Sequence, residues 1–535
     1  MRIFAKLLAA ALIAVPVMAA DAPLGADEAA IKAHVAFLAA DALRGREAGT
    51  ADYRVAADYV AARMLAAGLE PAGSEGWFQP VPLATARLAA EPVMTLTAGG
   101  ASVPLTFGSD FTAVRSAPGS AAVDVDAAVV FAAHGVVDAA SKRDDYRGLD
   151  VRGKIVALLY TGPVGPPSEV AAHLGDRVGR ARVAAARGAA GVVFIESGRM
   201  TASFATLHGG WDATSVTWVG PDGRARDGGA RALGLLSQAG AAKLFAGGRL
   251  SLTDVLAADT AGRVPATGPL PGRMRVQQRF TTERVSSPNV VGRLRGSDPS
   301  LRDEHIVLSA HLDHVGVTAR PVKGDAIHNG ALDNAMGIAS MLEVARRFGE
   351  GAARPKRSIL FVAVTAEEKG LIGSDYFATY PTVPRAGLAA NVNLDMPILL
   401  YRFRDLVALG ADRSSIGPIA AAAVQAAGFT LVPDPTPEQA SFVRTDHYSF
   451  VRQGIPSVSL KIGPGNGGAE ATARFLRDNY HKPSDEIGLP IDWTAAKDFV
   501  GVKHAIARAL ADAPARPRWN KGDYFGTLYK GPMAR

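Results

Sequence analysis

Five separated residues carry the donor types of a two-metal cage: His311, Asp333, Glu368, Asp395 and His481. They sit in the segments SAHLDHVG, GALDNAMG, VTAEEKG, NVNLDMP and YHKPSDE. Two imidazoles and three carboxylates suit zinc, and one carboxylate can bridge two ions. Glu367 lies directly beside Glu368 and offers a proton acceptor for water. A Lewis acid next to a base is the chemistry of hydrolysis.

Each residue also has a plainer reading. His311 and His481 could be solvated loop histidines, and Glu367 and Glu368 could be acids favoured by a helix N-terminus. Asp333 could cap the helix that starts near Gly337, and Asp395 could simply end a strand. His314 and His328 are read as surface or loop residues with no metal role. Asp313 is placed to accept from the second ring nitrogen of His311, as metal-binding histidines require.

Position along the chain favours the chemical reading. From Val285 onward strands and helices alternate. Asn289 to Leu294, His305 to Ala310, Ser358 to Thr365, Ala390 to Leu394 and Val458 to Ile462 read as strands. Gly337 to Phe348 and Ile416 to Ala427 read as helices, the first with Ile338, Met341, Leu342, Ala345 and Phe348 on one face. This alternation predicts a three-layer α/β domain with a largely parallel core. His311, the Glu367–Glu368 pair and Asp395 each follow a strand, and sites in such sheets form at the carboxyl ends of strands.

Ahead of that domain, residues 27 to 70 read as two helices around the loop RGREAGT. Phe78 to Leu83, Val93 to Leu96 and Val103 to Phe107 read as strands. Composition shifts near residue 116. Val123 to Phe131, Ile155 to Tyr160 and Val192 to Ile195 then read as strands, with an Ala- and Arg-rich helix from Arg177 to Arg187. The order implies a compact unit of its own, ending in the Pro- and Gly-rich stretch from Pro265 to Gly272.

At 535 residues the chain is too long for one ordinary core. It is 48% hydrophobic and 20% charged, with a net charge of +7. Lys and Arg are scattered, so the charge reads as a surface property rather than a nucleic-acid footprint. There is no cysteine, which excludes disulfides, thiolate metal ligands and a cysteine nucleophile. Arg2 and Lys6, an apolar run from Leu7 to Val17, and Ala19 and Ala20 before Asp21 read as a signal peptide. A buried N-terminal helix is the alternative. No later run is long and apolar enough to span a bilayer, so the mature chain is expected to be periplasmic or secreted.

The segments SAHLDHVG, NGALDNAMGIA, FVAVTAEEKGLIGS, NVNLDM, RTDHYSFVRQGIP and YHKPSDE resemble, in order, the co-catalytic di-zinc aminopeptidase family. That family includes the bacterial leucyl aminopeptidases and glutamate carboxypeptidase. The match covers most of residues 285–490, and FLAADALRGREAGT resembles the family's leading helices. DYRGLDVRGKIVALLY and RGAAGVVFIES resemble the protease-associated domain often inserted in these enzymes.

The resemblance implies an α/β fold: a three-layer α/β/α zinc exopeptidase domain with an inserted mainly-β protease-associated domain. It divides the chain into a signal peptide at 1–20, the N-terminal part of the peptidase domain at 21–115, the inserted domain at 116–272 and the zinc peptidase domain at 273–535. Two zinc ions are implied, one on His311 and Asp395, the other on Glu368 and His481, with Asp333 bridging. Glu367 is implied as general base, and the Asp333–Asn334 bond as cis. Several relatives have a tyrosine near the Asp446–His447 segment, so Arg444, Asp446, His447 and Tyr448 are the candidates for the oxyanion donor. The inserted domain is expected to cover the site and to carry no chemistry.

The expected function is an exported exopeptidase acting on peptides, most readily an aminopeptidase. A carboxypeptidase or dipeptidase is the runner-up, kept open by Arg444. A glutaminyl cyclase and a non-enzymatic receptor-like binder are further alternatives. Oligomeric state is left open.

Overall fold

The structure, a computed structural model, describes residues 23–116, 120–223, 225–226 and 230–535. The signal peptide read at 1–20 lies outside the described residues.

The peptidase-side sheet is built around four parallel strands. Ser358–Val364 pairs with His305–His311, which pairs with Leu388–Leu394, which pairs with Ser457–Ile462, all parallel. Asp405–Leu409 adds antiparallel beyond Ser457–Ile462, and residues 290–294 of the long strand Gly268–Leu294 add antiparallel beyond Ser358–Val364. The central strands are buried throughout, as continuous apolar runs such as ILFVAV require when both faces are covered.

Alternation sends successive side chains to opposite faces. Ile306, Leu308 and Ala310 pack into one core with helices Ala26–Leu38, Met336–Glu350 and Trp493–Asp512. Val307, Leu360, Val362 and Val364 pack on the other face with Phe377 of helix Ile372–Thr379 and Phe450 of helix His447–Val451. The result is three layers with helices on both sides of the sheet. Ile338, Met341, Leu342, Ala345 and Phe348 are all buried on helix Met336–Glu350, which is the face expected from their spacing.

A second unit has its own core. Ala122–Phe131, Ile155–Leu159, Gly191–Ile195 and Ala232–Leu236 pair in parallel in that order. Helices Ser168–Gly175, Arg177–Ala186, Gln238–Phe245 and Leu252–Thr260 lie between and after them, so helix and strand are mixed in this unit. Strand Gly268–Leu294 is continuous across both units. Its first half pairs with Val93–Ala98 and Ala122–Phe131, its second half with Phe78–Leu88 and Ser358–Val364. Leu88, Met94, Leu96, Leu105 and Phe111 pack with Val123 and Phe131 in the second core. The physical division therefore falls within strands rather than at the composition shift near 116.

Polar contacts hold the second unit against the first. Helix Ser168–Gly175 lies on residues 437–443: Ser168 Oγ donates to the Pro437 carbonyl at 2.5 Å, and Glu169 pairs with Arg413. Arg226 donates to the Gly370 carbonyl at 2.7 Å and pairs with Asp375 at 2.8 Å. Among the described residues, no helix is long and apolar enough to cross a membrane.

Candidate metal centre

Because the central strands run parallel, their carboxyl ends share one edge. His311 is the last residue of its strand, Asp395 follows Leu388–Leu394, and Glu367 and Glu368 follow Ser358–Val364 after a two-residue turn. Ala366, Met396 and His481 hold positive φ angles of 52°, 52° and 51°. Residues with a Cβ seldom adopt that region, and where several do so together the surrounding structure holds them for a purpose.

The five predicted donors form two lobes joined by Asp333. His311 Nε2 lies 3.3 Å from Asp333 Oδ1 and 3.2 Å from Asp395 Oδ1. His481 Nε2 lies 3.3 Å from Asp333 Oδ2 and 3.0 Å from Glu368 Oε2. Each oxygen of Asp333 thus faces a different imidazole, the arrangement of a bridging carboxylate. The Asp333–Asn334 peptide bond is cis.

His314 belongs to this cluster, against its reading as a surface or loop residue. It is fully buried, and its Nδ1 lies 2.7 Å from Glu368 Oε1 and 4.0 Å from Asp333 Oδ2. The donor atoms of His314, Asp333 and Glu368 are close enough together to share an ion, as are those of His311, Asp333 and Asp395. His328 stays at the edge, half-buried, with its ring centroid 6.3 Å from that of His314.

Seven carboxyls crowd this edge: Asp313, Asp333, Glu367, Glu368, Asp395, Asp446 and Asp485. Burial pushes Asp313 and Asp485 up to about 6, Asp446 up to about 7 and Glu367 well above the usual carboxylate range. Burial disfavours charge on the histidines too, yet the surrounding acids raise His311 well above its ordinary value and His481 to about 10. A neutral imidazole is what a metal needs, so these histidines cannot balance the acids and ligate at once. Two divalent cations would supply the missing charge. Asp333 Oδ2 and His314 Nε2 are also buried without a hydrogen bond. The donor set fits a pair of metal ions.

Other segments hold the donors by their backbones. His311 Nδ1 lies 3.1 Å from the Asp313 carbonyl oxygen, not from its carboxylate. The Asp313 carboxylate instead accepts from the amides of Glu367 and Glu368 at 3.0 and 3.3 Å. Asp313 was expected to orient His311 with its side chain; its main chain does that, and its side chain fixes the neighbouring turn. Asp485 accepts from the amides of Leu332 and Asp333 at 2.9 and 3.0 Å. Asn334 donates to the Leu394 carbonyl at 2.9 Å and accepts from the Met396 amide at 3.2 Å, tying the Asp333 turn to Asp395. Arg46 is buried, and its guanidinium donates to the carbonyls of Leu38, Leu312, Asn329 and Gly330.

Residues 289–507, which contain every one of these donors, match the pattern of peptidase family M28. Shorter matches reach curated proteins. A probable zinc metalloprotease of Pyrenophora teres f. teres is 37% identical over 112 residues, 21% of this chain and 23% of that protein. One of Pyricularia oryzae is 37% identical over 123 residues, 23% of each chain. The aligned part thus spans about a quarter of those relatives' own length. Among solved structures, the aminopeptidase from Aneurinibacillus sp. strain AM-1 covers 91% of this chain and 95% of its own at 19% identity, with a TM-score of 0.48.

The matched segment opens onto a cavity of about 140 Å³ lined by Asp333, Glu367, Glu368 and Asp395, with Arg444, Lys461, Tyr480 and His481 around them. Of the oxyanion candidates, Arg444 is exposed and lines this cavity. Asp446 is buried, with neither carboxylate oxygen hydrogen-bonded. His447 is buried with Nδ1 2.6 Å from Thr445 Oγ1, and burial lowers its imidazole to about 3. Tyr448 points elsewhere: its hydroxyl lies 2.7 Å from His173 Nδ1, among Phe442, Trp519 and Phe525 at the junction with the second unit. That contact removes it as an oxyanion donor.

Tyr480 and Lys461 line the cavity and were not singled out in the sequence. The Tyr480 ring stacks on His481 with centroids 3.9 Å apart. Lys461 Nζ donates to the Asp395 carbonyl at 2.6 Å and lies 3.6 Å from Asp395 Oδ2. A lysine near the carboxyl end of the otherwise uncharged strand SVSLKI was the available signal.

Proposed function

We propose that this chain is a two-zinc exopeptidase that removes residues from the amino ends of peptides. The reading rests on one observation above all: each oxygen of Asp333 faces a separate histidine–carboxylate pair. His311 and Asp395 would hold one ion, His481 and Glu368 the other, and Asp333 both. His314 would hold Glu368 through its Oε1. Two zinc ions bound there would supply Lewis acidity for a carbonyl and lower the pKa of a bound water toward about 7.

Glu367 is the general base. Its carboxyl lines the cavity beside the donors, so it takes a proton from the attacking water and returns it to the leaving nitrogen. Burial raises that carboxyl well above its usual range, and added positive charge would lower it toward the range where a base works. Tyr480 donates to the developing oxyanion. Burial and the neighbouring acids raise its phenol, which keeps the proton available to donate.

Carboxylate oxygens of Glu367 and the donors line the inner wall and offer acceptors to a substrate ammonium, which supports trimming from the amino end. Carboxy-terminal trimming is the second reading, favoured by Arg444 and Lys461 on the outer wall. The second unit is read as a protease-associated domain that borders the site, since helix Ser168–Gly175 rests on the wall at residues 437–443 and Arg226 on Gly370. The leader read at 1–20 supports a location in the periplasm or outside the cell.

A panel of free-amine, N-blocked and C-amidated peptides with product masses tests this. Loss of cleavage on N-blocking alone is the expected result. Trimming of N-blocked peptides from the carboxyl end would overturn it.

A further inference from the structure

Beyond Glu367 and the donors, the charged residues lining the cavity are Arg444 and Lys461, and no further acid lines it. The Arg444 guanidinium has no ion pair or hydrogen bond among the described residues, although it is exposed beside a concentration of carboxyls. A guanidinium presents its donors as a planar fork matched to a carboxylate. Lys461 is different. Its hydrogen bond to the Asp395 carbonyl anchors Nζ at the rim of the donor cluster, and one bond leaves further N–H donors for the cavity. The pair therefore makes the outer wall cationic, while cations bound at the donors would leave the inner wall near neutral.

We propose that Arg444 and Lys461 form a subsite for a carboxylate on the substrate, within a residue or so of the scissile bond. Resting on the exopeptidase reading above, this names the substrate class: short peptides with an anionic group there. The carboxylate comes either from an acidic side chain or from the free carboxyl end of a dipeptide. The size of the cavity, about 140 Å³ against roughly 300 Å³ for the smallest pockets that enclose drug-sized ligands, agrees with a short substrate.

Two matched substrate pairs separate the sources: Ala-Glu-amide against Ala-Gln-amide, and Ala-Ala against Ala-Ala-amide. In the zinc-loaded protein at least one pair should show kcat/KM favouring the anionic member by about tenfold or more. A charge-assisted hydrogen bond contributes roughly 1.5–3 kcal/mol, which corresponds to that range. Arg444→Gln should bring the ratio towards one, and Arg444→Lys should restore part of it. Both changes are at an exposed position, so folding should survive. Ratios near one for both pairs, or a ratio untouched in Arg444→Gln, overturn the subsite while leaving the peptidase reading standing.

Should no peptide be cleaved, the peptidase reading fails and the subsite is judged by binding. Calorimetry on zinc-loaded Glu367→Gln protein would then compare Ala-Glu-amide with Ala-Gln-amide, and Ala-Ala with Ala-Ala-amide. Tighter binding of the carboxylate in either pair, lost on adding Arg444→Gln, supports the subsite. Equal binding in both pairs overturns it.

Discussion

Asp485 holds Asp333 by its backbone: its carboxylate accepts from the amides of Leu332 and Asp333 at 2.9 and 3.0 Å. Both side chains are buried, so the acid facing the imidazoles is set by a second acid behind it. Asp485→Asn keeps one acceptor oxygen and turns an N–H against a backbone donor. Zinc affinity should fall roughly 10- to 100-fold, the usual cost of disturbing the support behind a ligand. Zinc titration with a competing chelator reads this directly, and unchanged affinity would contradict it.

Glu367→Gln removes the proton acceptor and leaves the donor set. Zinc content should be retained while kcat falls by about 100-fold or more. Survival of activity within a few-fold would show that another group moves the proton.

Tyr480→Phe removes a hydroxyl and keeps the ring stacked on His481. The expected loss falls on kcat, on the order of 100-fold, with little change in KM, because the donor acts on charge that develops in the transition state. A loss confined to KM would assign the hydroxyl to substrate binding.

Arg46→Met leaves three buried backbone carbonyls, those of Leu38, Leu312 and Asn329, without the guanidinium donor, while Gly330 keeps the Ala335 amide. An unsatisfied buried acceptor costs about 1–3 kcal/mol, so the chain should lose about 3 kcal/mol or more in denaturant unfolding. Zinc affinity should weaken with it, since Leu312 directly follows His311 and Gly330 opens the turn that carries Asp333.

Burial lowers His504 to about 4, with Arg508 and Arg347 adding to the effect. In the unfolded chain the imidazole titrates near 6.5, so between those values the unfolded state binds the extra proton. The contribution to stability is full above about pH 6.5 and is lost as pH falls towards 4. His504→Leu should flatten this part of the profile. The difference in urea midpoint between variant and parent at pH 7.5 and at pH 5 checks the sign.

The parallel sheet and the donors at its edge were legible because they obey a local rule. An apolar run of fixed length is followed by His311, Glu367–Glu368 or Asp395, and such runs end on one side of a parallel sheet. The supporting residues obey no local rule. Arg46 and Asp485 act mostly on backbone groups more than a hundred residues away, and nothing near them in the chain distinguishes them from surface charges. His314 was misread because burial depends on the packing of the loop around it. Tyr448 was misplaced because a five-residue helix, His447–Val451, decides which way its ring points, and it points to His173. The unit boundary was missed near 116 because strand Gly268–Leu294 serves both sheets without a break.

Metal stoichiometry tests the central claim most directly. Elemental analysis of the purified chain should find two zinc ions per molecule, and Asp333→Ala should weaken both together, because each depends on one oxygen of the same carboxylate. A single ion in the parent, or two retained undiminished in Asp333→Ala, would contradict the account.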